Sequence, residues 1–163
     1  MRILFISRCP PYPLHLGDRL ILYHLARELS AQGHTLDLLA FDDRPDLPDQ
    51  REAYAEFFNS VEIFPAPHRS MAAMLKRIVL SGSRFPKNAA ASWSPEMGQA
   101  IARKIAADRY DVVHLFGGIH VYEYATLLAG IPAIITPYES YSLYLQRQSQ
   151  ASAAATGGFL QRW

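Results

Sequence analysis

The sequence contains a single cysteine, Cys9, in 163 residues. One cysteine cannot close an internal disulfide, so a stapled secreted scaffold is excluded. Long apolar runs are also missing. Near the N-terminus only Ile3-Leu4-Phe5-Ile6 is continuously apolar, too short for the core of a signal peptide. Nothing approaches the ~18 apolar residues of a membrane span. Charge of one sign is absent as well: 16 Lys and Arg face 15 Asp and Glu, and charged residues make up 19%. No basic cluster is longer than a pair, so no electrostatic drive toward nucleic acid exists and no nucleic-acid partner is expected. A cytoplasmic chain is expected, with peripheral contact at the inner membrane a further expectation.

Half of the residues are apolar, enough for a substantial core in one domain of ordinary size. They fall in short runs that alternate with helical patterns. Ile3 to Ile6 reads as a strand buried on both faces. The loop from Ser7 to Leu16 carries Pro10, Pro11 and Pro13 and cannot be helix. Asp18 reads as an N-cap. Ile21, Leu25 and Leu29 recur four apart with Leu22 and Ala26 beside them, an amphipathic stripe that leaves Arg19, Arg27 and Glu28 outside. Gly33 ends that helix. Thr35 to Phe41 and Val61 to Phe64 are the next strands, with a short helix between them near Arg51 to Asn59. Ser70 to Leu80 reads as a helix, and a loop follows from Ser81 to Ser94. Ser94 then caps another helix that carries Pro95 at its first position and runs to about Ala107. Asp111 to Leu115 is the fourth strand, His120 to Ala129 a helix, Pro132 to Thr136 the fifth strand, and Tyr138 to Gln148 a helix. This alternation predicts an α/β fold, a single Rossmann-like three-layer domain with a parallel sheet, spanning residues 1–148. Residues 149–163 form a tail or the start of a connection to a second domain. Ligands on such sheets sit at the carboxyl ends of the strands, so the loops after strands one, four and five are the ones to read for chemistry.

In the first loop, Gly17 precedes Asp18 at a helix start. Main-chain amides and the helix dipole there suit an anion, and Arg8 and Arg19 can add charge-assisted bonds. The plainer reading is a tight turn with solvated arginines. Two phosphate signatures are missing: there is no G-x-x-x-x-G-K-[ST], and the loop has one glycine rather than the three of a dinucleotide clamp. Asp42 and Asp43 follow strand two where a ribose-binding acid would sit, but without the glycines they read as a solvated loop. No acid ends strand one, which excludes a phospho-acceptor receiver. After strand four, Gly117 and Gly118 allow close approach to the backbone. His120 can donate or carry a proton, and His114 lies within the strand; a core or capping role serves either histidine equally. After strand five, Tyr138 and Glu139 can meet hydroxyl-rich ligands, or simply open a helix. No zinc-ligand spacing or nucleophilic triad is discernible, and no metal or cofactor is expected.

Taken in order, these residues resemble the N-terminal domain of family four glycosyltransferases of the GT-B fold. The resemblance rests on Arg2-Ile3-Leu4-Phe5-Ile6 followed by Pro11-Tyr12-Pro13 and Gly17-Asp18-Arg19, and on Leu25-Ala26-Arg27-Glu28-Leu29 with Gly33-His34. It continues in Tyr110-Asp111-Val112-Val113-His114 and in Pro132 to Ser140. The opening is similar to a bacterial branch with a P-Y-P…G-D loop. The resemblance implies the acceptor-binding half of a retaining, metal-independent enzyme, inactive alone. The nucleotide-sugar donor would be held by a second domain, and a sugar or lipid-linked acceptor by this half. It places Gly17 near the donor diphosphate; taken with the loop readings above, His120 and Glu139 are the catalytic candidates, and Arg8, Gly17, Asp18, Arg19, His114, Gly117, Gly118 and Tyr138 are the candidates for substrate binding. One departure is Phe116, which stands where many members carry a second histidine. The alternative is a non-catalytic module, derived from such an enzyme, that dimerises or binds a partner.

Overall fold

The computed structural model describes residues 1–46, 48–67, 93–137 and 146–147. The helix read at 70–80, that at 138–148 apart from residues 146–147, most of the loop at 81–94, the tail at 149–163, and the candidates Tyr138 and Glu139 lie outside the described residues.

Among the described residues five strands form one all-parallel sheet in the order β3-β2-β1-β4-β5. They are β1 (Arg2–Ser7), β2 (Thr35–Asp42), β3 (Ser60–Pro65), β4 (Val112–Phe116) and β5 (Ala133–Thr136). The chain winds outward from β1 to β3, then returns to the other side of β1 for β4. The order therefore reverses between β1 and β4, the switch point at which ligands of such sheets gather. The expected Rossmann-like α/β fold is the observed one.

Strand alternation divides the core into two layers. Ile3, Phe5, Leu36, Leu38, Ala40, Val112 and Phe116 face one side, where helix α1 (Gly17–Ala31) contributes Leu22 and Ala26 and the segment after β2 contributes Tyr54 and Phe58. Leu4, Ile6, Leu39, Phe41, Val113 and Leu115 face the other, against Met97, Ala100 and Ile101 of helix α2 (Pro95–Ala107) and Val121, Tyr124 and Leu128. β1 is central and buried along almost its whole length, which is why it reads as an unbroken apolar run.

Helix ends follow their local chemistry. Ser94 Oγ accepts the Met97 amide at 3.3 Å and Pro95 opens α2, as expected. At the end of α1, Gly33 holds φ at +81°, its amide donates to Ser30 O, and the His34 amide donates to Leu29 O. That pair of bonds is a Schellman turn, which needs the left-handed residue glycine supplies.

Four local readings are corrected. Asp18 is not the cap of α1: the helix begins at Gly17 after an extended Leu16, and the Asp18 carboxylate is taken by Arg8 and by the Arg19 amide. The buried line of α1 is also turned by one residue. Arg19, Leu22 and Ala26 face inward while Ile21 is exposed, because an ion pair with Asp43 lets Arg19 enter the interior. The helix read at 51–59 is instead two 3-10 turns, Arg51–Ala53 and Ala55–Phe57, separated where Tyr54 takes φ −145°. The helix read at 120–129 is likewise two 3-10 segments, Gly118–His120 and Tyr122–Leu127, broken at Val121 with φ −123°. In each case burying a large side chain at the break (Tyr54, Val121) outweighs continuous helical bonding.

Candidate functional site

The carboxyl ends of β1 and β4 carry most of the candidate residues. The Arg8 amide donates to Phe116 O at 3.1 Å, one step beyond the β1–β4 ladder. Its side chain crosses the backbone of Gly117: a Cβ on that glycine would lie 2.6 Å from Arg8 Cβ. Gly117 holds φ at +140° and Gly118 at +61°, so the chain leaves β4 in a conformation that side chains resist.

Asp18 reaches back from α1 to this point. Its Oδ2 accepts Arg8 Nε at 2.8 Å and also Arg8 Nη2. The carboxylate is buried while Arg8 remains 37% exposed. Burial alone would raise the Asp18 pKa, but the Arg8 hydrogen bond and charge and the Arg19 amide outweigh it and hold the group below the ordinary 3.8. Asp18 therefore stays ionised and fixes the Arg8 guanidinium at the switch point.

Arg19 does a different job. Only 2% of it is exposed. Nη1 donates to Pro10 O at 3.3 Å and to Tyr12 O, and Nη2 pairs with Asp43. The guanidinium ties the proline-rich loop after β1 to the loop after β2. Asp43, read from sequence as solvated, is half of that tie. The missed signal was a helix-face arginine whose chain-distant acid follows the neighbouring parallel strand.

Gly17 is exposed at the start of α1, and a Cβ there would meet nothing within 4 Å. Its φ is not positive. Neither backbone conformation nor internal crowding demands glycine at this position. In the first helical turn the Arg19 amide donates to Asp18 Oδ1 at 2.9 Å and the Leu20 amide to Leu16 O at 3.0 Å, which leaves the Gly17 and Asp18 amides without a partner among the described residues. Asp18 and Arg19 turn inward from the same turn.

His114 lies inside β4, beside the Phe5 and Phe116 rings at 5.2 and 5.3 Å, with Nε2 2.7 Å from Thr136 Oγ1 of β5. Burial lowers its pKa below 6.5, so the ring is neutral at neutral pH. Phe116 is buried in the same layer. His120 is half-buried in the turn after Gly117 and Gly118, at the carboxyl end of β4. Cys9 is buried just past β1. Burial, with Asp18 nearby, pushes its thiol up to about 12, so it is no nucleophile at neutral pH. Among the described residues no group of His, Cys, Asp and Glu could hold a metal ion, and no helix is long and apolar enough to cross a membrane.

The sequence matches the family described as "Glycosyl transferase 4-like domain" over residues 19–163. The chain belongs to that family. A sugar donor and a sugar acceptor are the partners that membership implies. The match takes in α1, β4 and the turn carrying His120 in this glycosyl transferase 4-like domain, and begins two residues after Gly17. No curated protein matches the sequence. Among solved structures the domain is similar to the C-terminal domain of a hydrogenase from Pyrococcus furiosus, with 15% identity and a TM-score of 0.53 over 83% of this chain and 90% of that one. At that identity the likeness is one of fold.

Proposed function

We propose that this domain is the acceptor-side half of a retaining glycosyltransferase of the GT-B type, completed by a second domain that carries a nucleotide-sugar donor. The observation that carries the reading is Gly17: an exposed glycine, on no local steric or conformational demand, heading a helix at the switch point of a family-member sheet. A diphosphate brought across a cleft would meet the Gly17 and Asp18 amides there, with the Arg8 guanidinium beside it. In this reading His120 faces the reacting sugar and Glu139 supplies a second polar contact. Tyr138 lines the acceptor side, and buried His114 serves only to hold β4 to β5 through Thr136. Gly118 lets the substrate come close to the backbone, whereas Gly117 makes room for the Arg8 side chain. Arg19 serves indirectly, by holding the loop that presents Gly17.

The test joins the domain to a nucleotide-sugar-binding half and measures transfer from UDP-, GDP- and ADP-sugars. Gly17→Ala, His120→Ala and Glu139→Gln should each lower transfer by about tenfold or more. Three silent variants in an active pair would remove the site assignment.

A second reading, a non-catalytic dimerising module, is favoured by β5. Its Ile134 and Ile135 are 51% and 46% exposed on opposite faces of the edge strand. Sedimentation decides: a stable dimer without transfer activity in any pairing supports the module, and a monomer that gains activity on pairing supports the enzyme.

A further inference from the structure

We propose that a cavity of about 160 Å³ between the loops after β1 and β2 binds one neutral sugar ring. Its walls include Tyr12, Arg19, Asp43, Arg51, Tyr54 and Ile63. The volume is below the ~300–1,000 Å³ of drug-sized sites, which fits a single ring and not a nucleotide.

Two wall groups lack partners. Tyr54 is 2% exposed, and its hydroxyl meets no hydrogen-bonding group among the described residues. Tyrosine hydroxyls at such a wall ordinarily bond water or a ligand. Arg19 Nε is also buried and unpaired, although both terminal nitrogens of that guanidinium are engaged. The two come from separate elements, α1 and the turns before β3, and converge on one cavity. Ligand oxygens seated there would supply what the protein does not.

The charges choose among ligands. Three arginines and three aspartates line the cavity, so its wall carries no net charge. Arg19 pairs with Asp43, and Arg51 pairs with Asp49 at 2.7 Å. Asp42 accepts the Arg44 amide at 2.9 Å, and Arg44 Nη2 contacts His15 Nε2. Of these six, Arg44 and Asp42 have no ion-pair partner among the described residues, and being of opposite sign they favour neither an anion nor a cation. Hydroxyl groups can donate to the carboxylates and accept from the guanidiniums without disturbing either. Tyr12, Tyr54, Ile63 and the neighbouring prolines add apolar faces that suit the C–H face of a pyranose.

That the bound ring is the acceptor rests on the glycosyl-transfer reading; that the cavity binds a ring does not. The experiment titrates the ¹⁵N-labelled chain with methyl glycosides of neutral hexoses and N-acetylhexosamines, and separately with inorganic phosphate, following amide shifts. At least one glycoside should give saturable shifts at Tyr12, Asp43 and Tyr54 with a Kd of roughly 1–10 mM, while phosphate leaves these residues unmoved. Tyr54→Phe keeps the ring and removes the orphan hydroxyl. It should weaken that binding roughly fivefold without lowering Tm, the loss of one hydrogen bond made only to the ligand. Ile63→Phe fills the cavity and should abolish binding in a chain that stays folded by circular dichroism.

The proposal is overturned by no saturable shift with any glycoside, by wild-type affinity in Tyr54→Phe, or by phosphate moving the same residues. Sugar binding here with no transfer in any two-domain pairing would sink the enzyme reading and leave the cavity intact. Transfer that proceeds unchanged with Tyr54→Phe and Ile63→Phe would show that the bound ring is not the acceptor and leave the enzyme reading intact.

Discussion

An added methyl at Gly117 would overlap Arg8 Cβ at 2.6 Å, on a backbone already at φ +140°. Neither neighbour yields cheaply, because the Arg8 amide is bonded to Phe116 O and its guanidinium to Asp18. Gly117→Ala should therefore cost about 1–3 kcal/mol and swing Arg8 off the switch point. Gly17→Ala meets open space at an ordinary φ and should change stability by less than about 1 kcal/mol. Its effect belongs to the ligand instead, as lost transfer in a paired enzyme. Urea unfolding of both variants checks the contrast: equal destabilisation would mean that Gly17 is structural and that its openness carries no functional meaning.

At the scale of elements, protection from hydrogen exchange should grade outward from β1. That strand is flanked by β2 and β4 and covered on both faces. β5 is an edge among the described residues, and most of its residues are exposed. Its amides should exchange roughly 100-fold faster than those of β1. Equal protection would show that β5 is covered in solution. The same gradient explains what could be read in advance. Strands with a continuous apolar run, and helices with a proline start or a glycine stop, are marked by their own residues, so β1, β2, β4, α2 and the end of α1 lie where the pattern puts them. The inward turn of Arg19 was not legible, because its reason is Asp43, 24 residues away on a neighbouring strand end. Tyr54 posed the same problem: periodicity suggests one short helix there, whereas burial of the ring splits it into two turns. For the site, the sequence marks Gly17, Gly117 and Gly118 as punctuation. Only the fold shows that one of them is crowded and another free.

For the whole molecule, one carboxylate at the opposite end of the sheet joins most of the layers. Asp37 of β2 is fully buried. It accepts Arg2 of β1 at 3.1 and 3.2 Å, Asn59 at 3.0 Å, Ser60 of β3, and the Tyr110 hydroxyl before β4 at 2.8 Å, with Lys104 of α2 at 3.8 Å. Burial alone would raise its pKa, but hydrogen bonds from Ser60, Asn59, Tyr110 and Arg2 prevail and hold it at about 2 against an ordinary 3.8. The unfolded chain thus takes up this proton first as pH falls. The stabilisation, about 2 kcal/mol, is complete above 3.8 and disappears as pH drops through about 2. His114 adds an earlier loss with the same direction: burial depresses its folded pKa, so protonation of the unfolded chain begins to cost stability below 6.5. Denaturant unfolding between pH 2 and 7 should show both steps. Asp37→Asn should lower stability at pH 7 by about 2 kcal/mol, since it removes the charge that Ser60, Asn59, Tyr110 and Arg2 bond while Arg2 keeps Asp108, and should flatten the step between pH 4 and pH 2 while leaving the one near pH 6 in place. An unchanged acid limb in that variant would mean that another carboxylate governs the acid transition. Because Asp37 lies at the amino ends of the strands, the loss should fall on folding alone, with sugar-induced shifts at Tyr12 and Tyr54 retained wherever the variant remains folded.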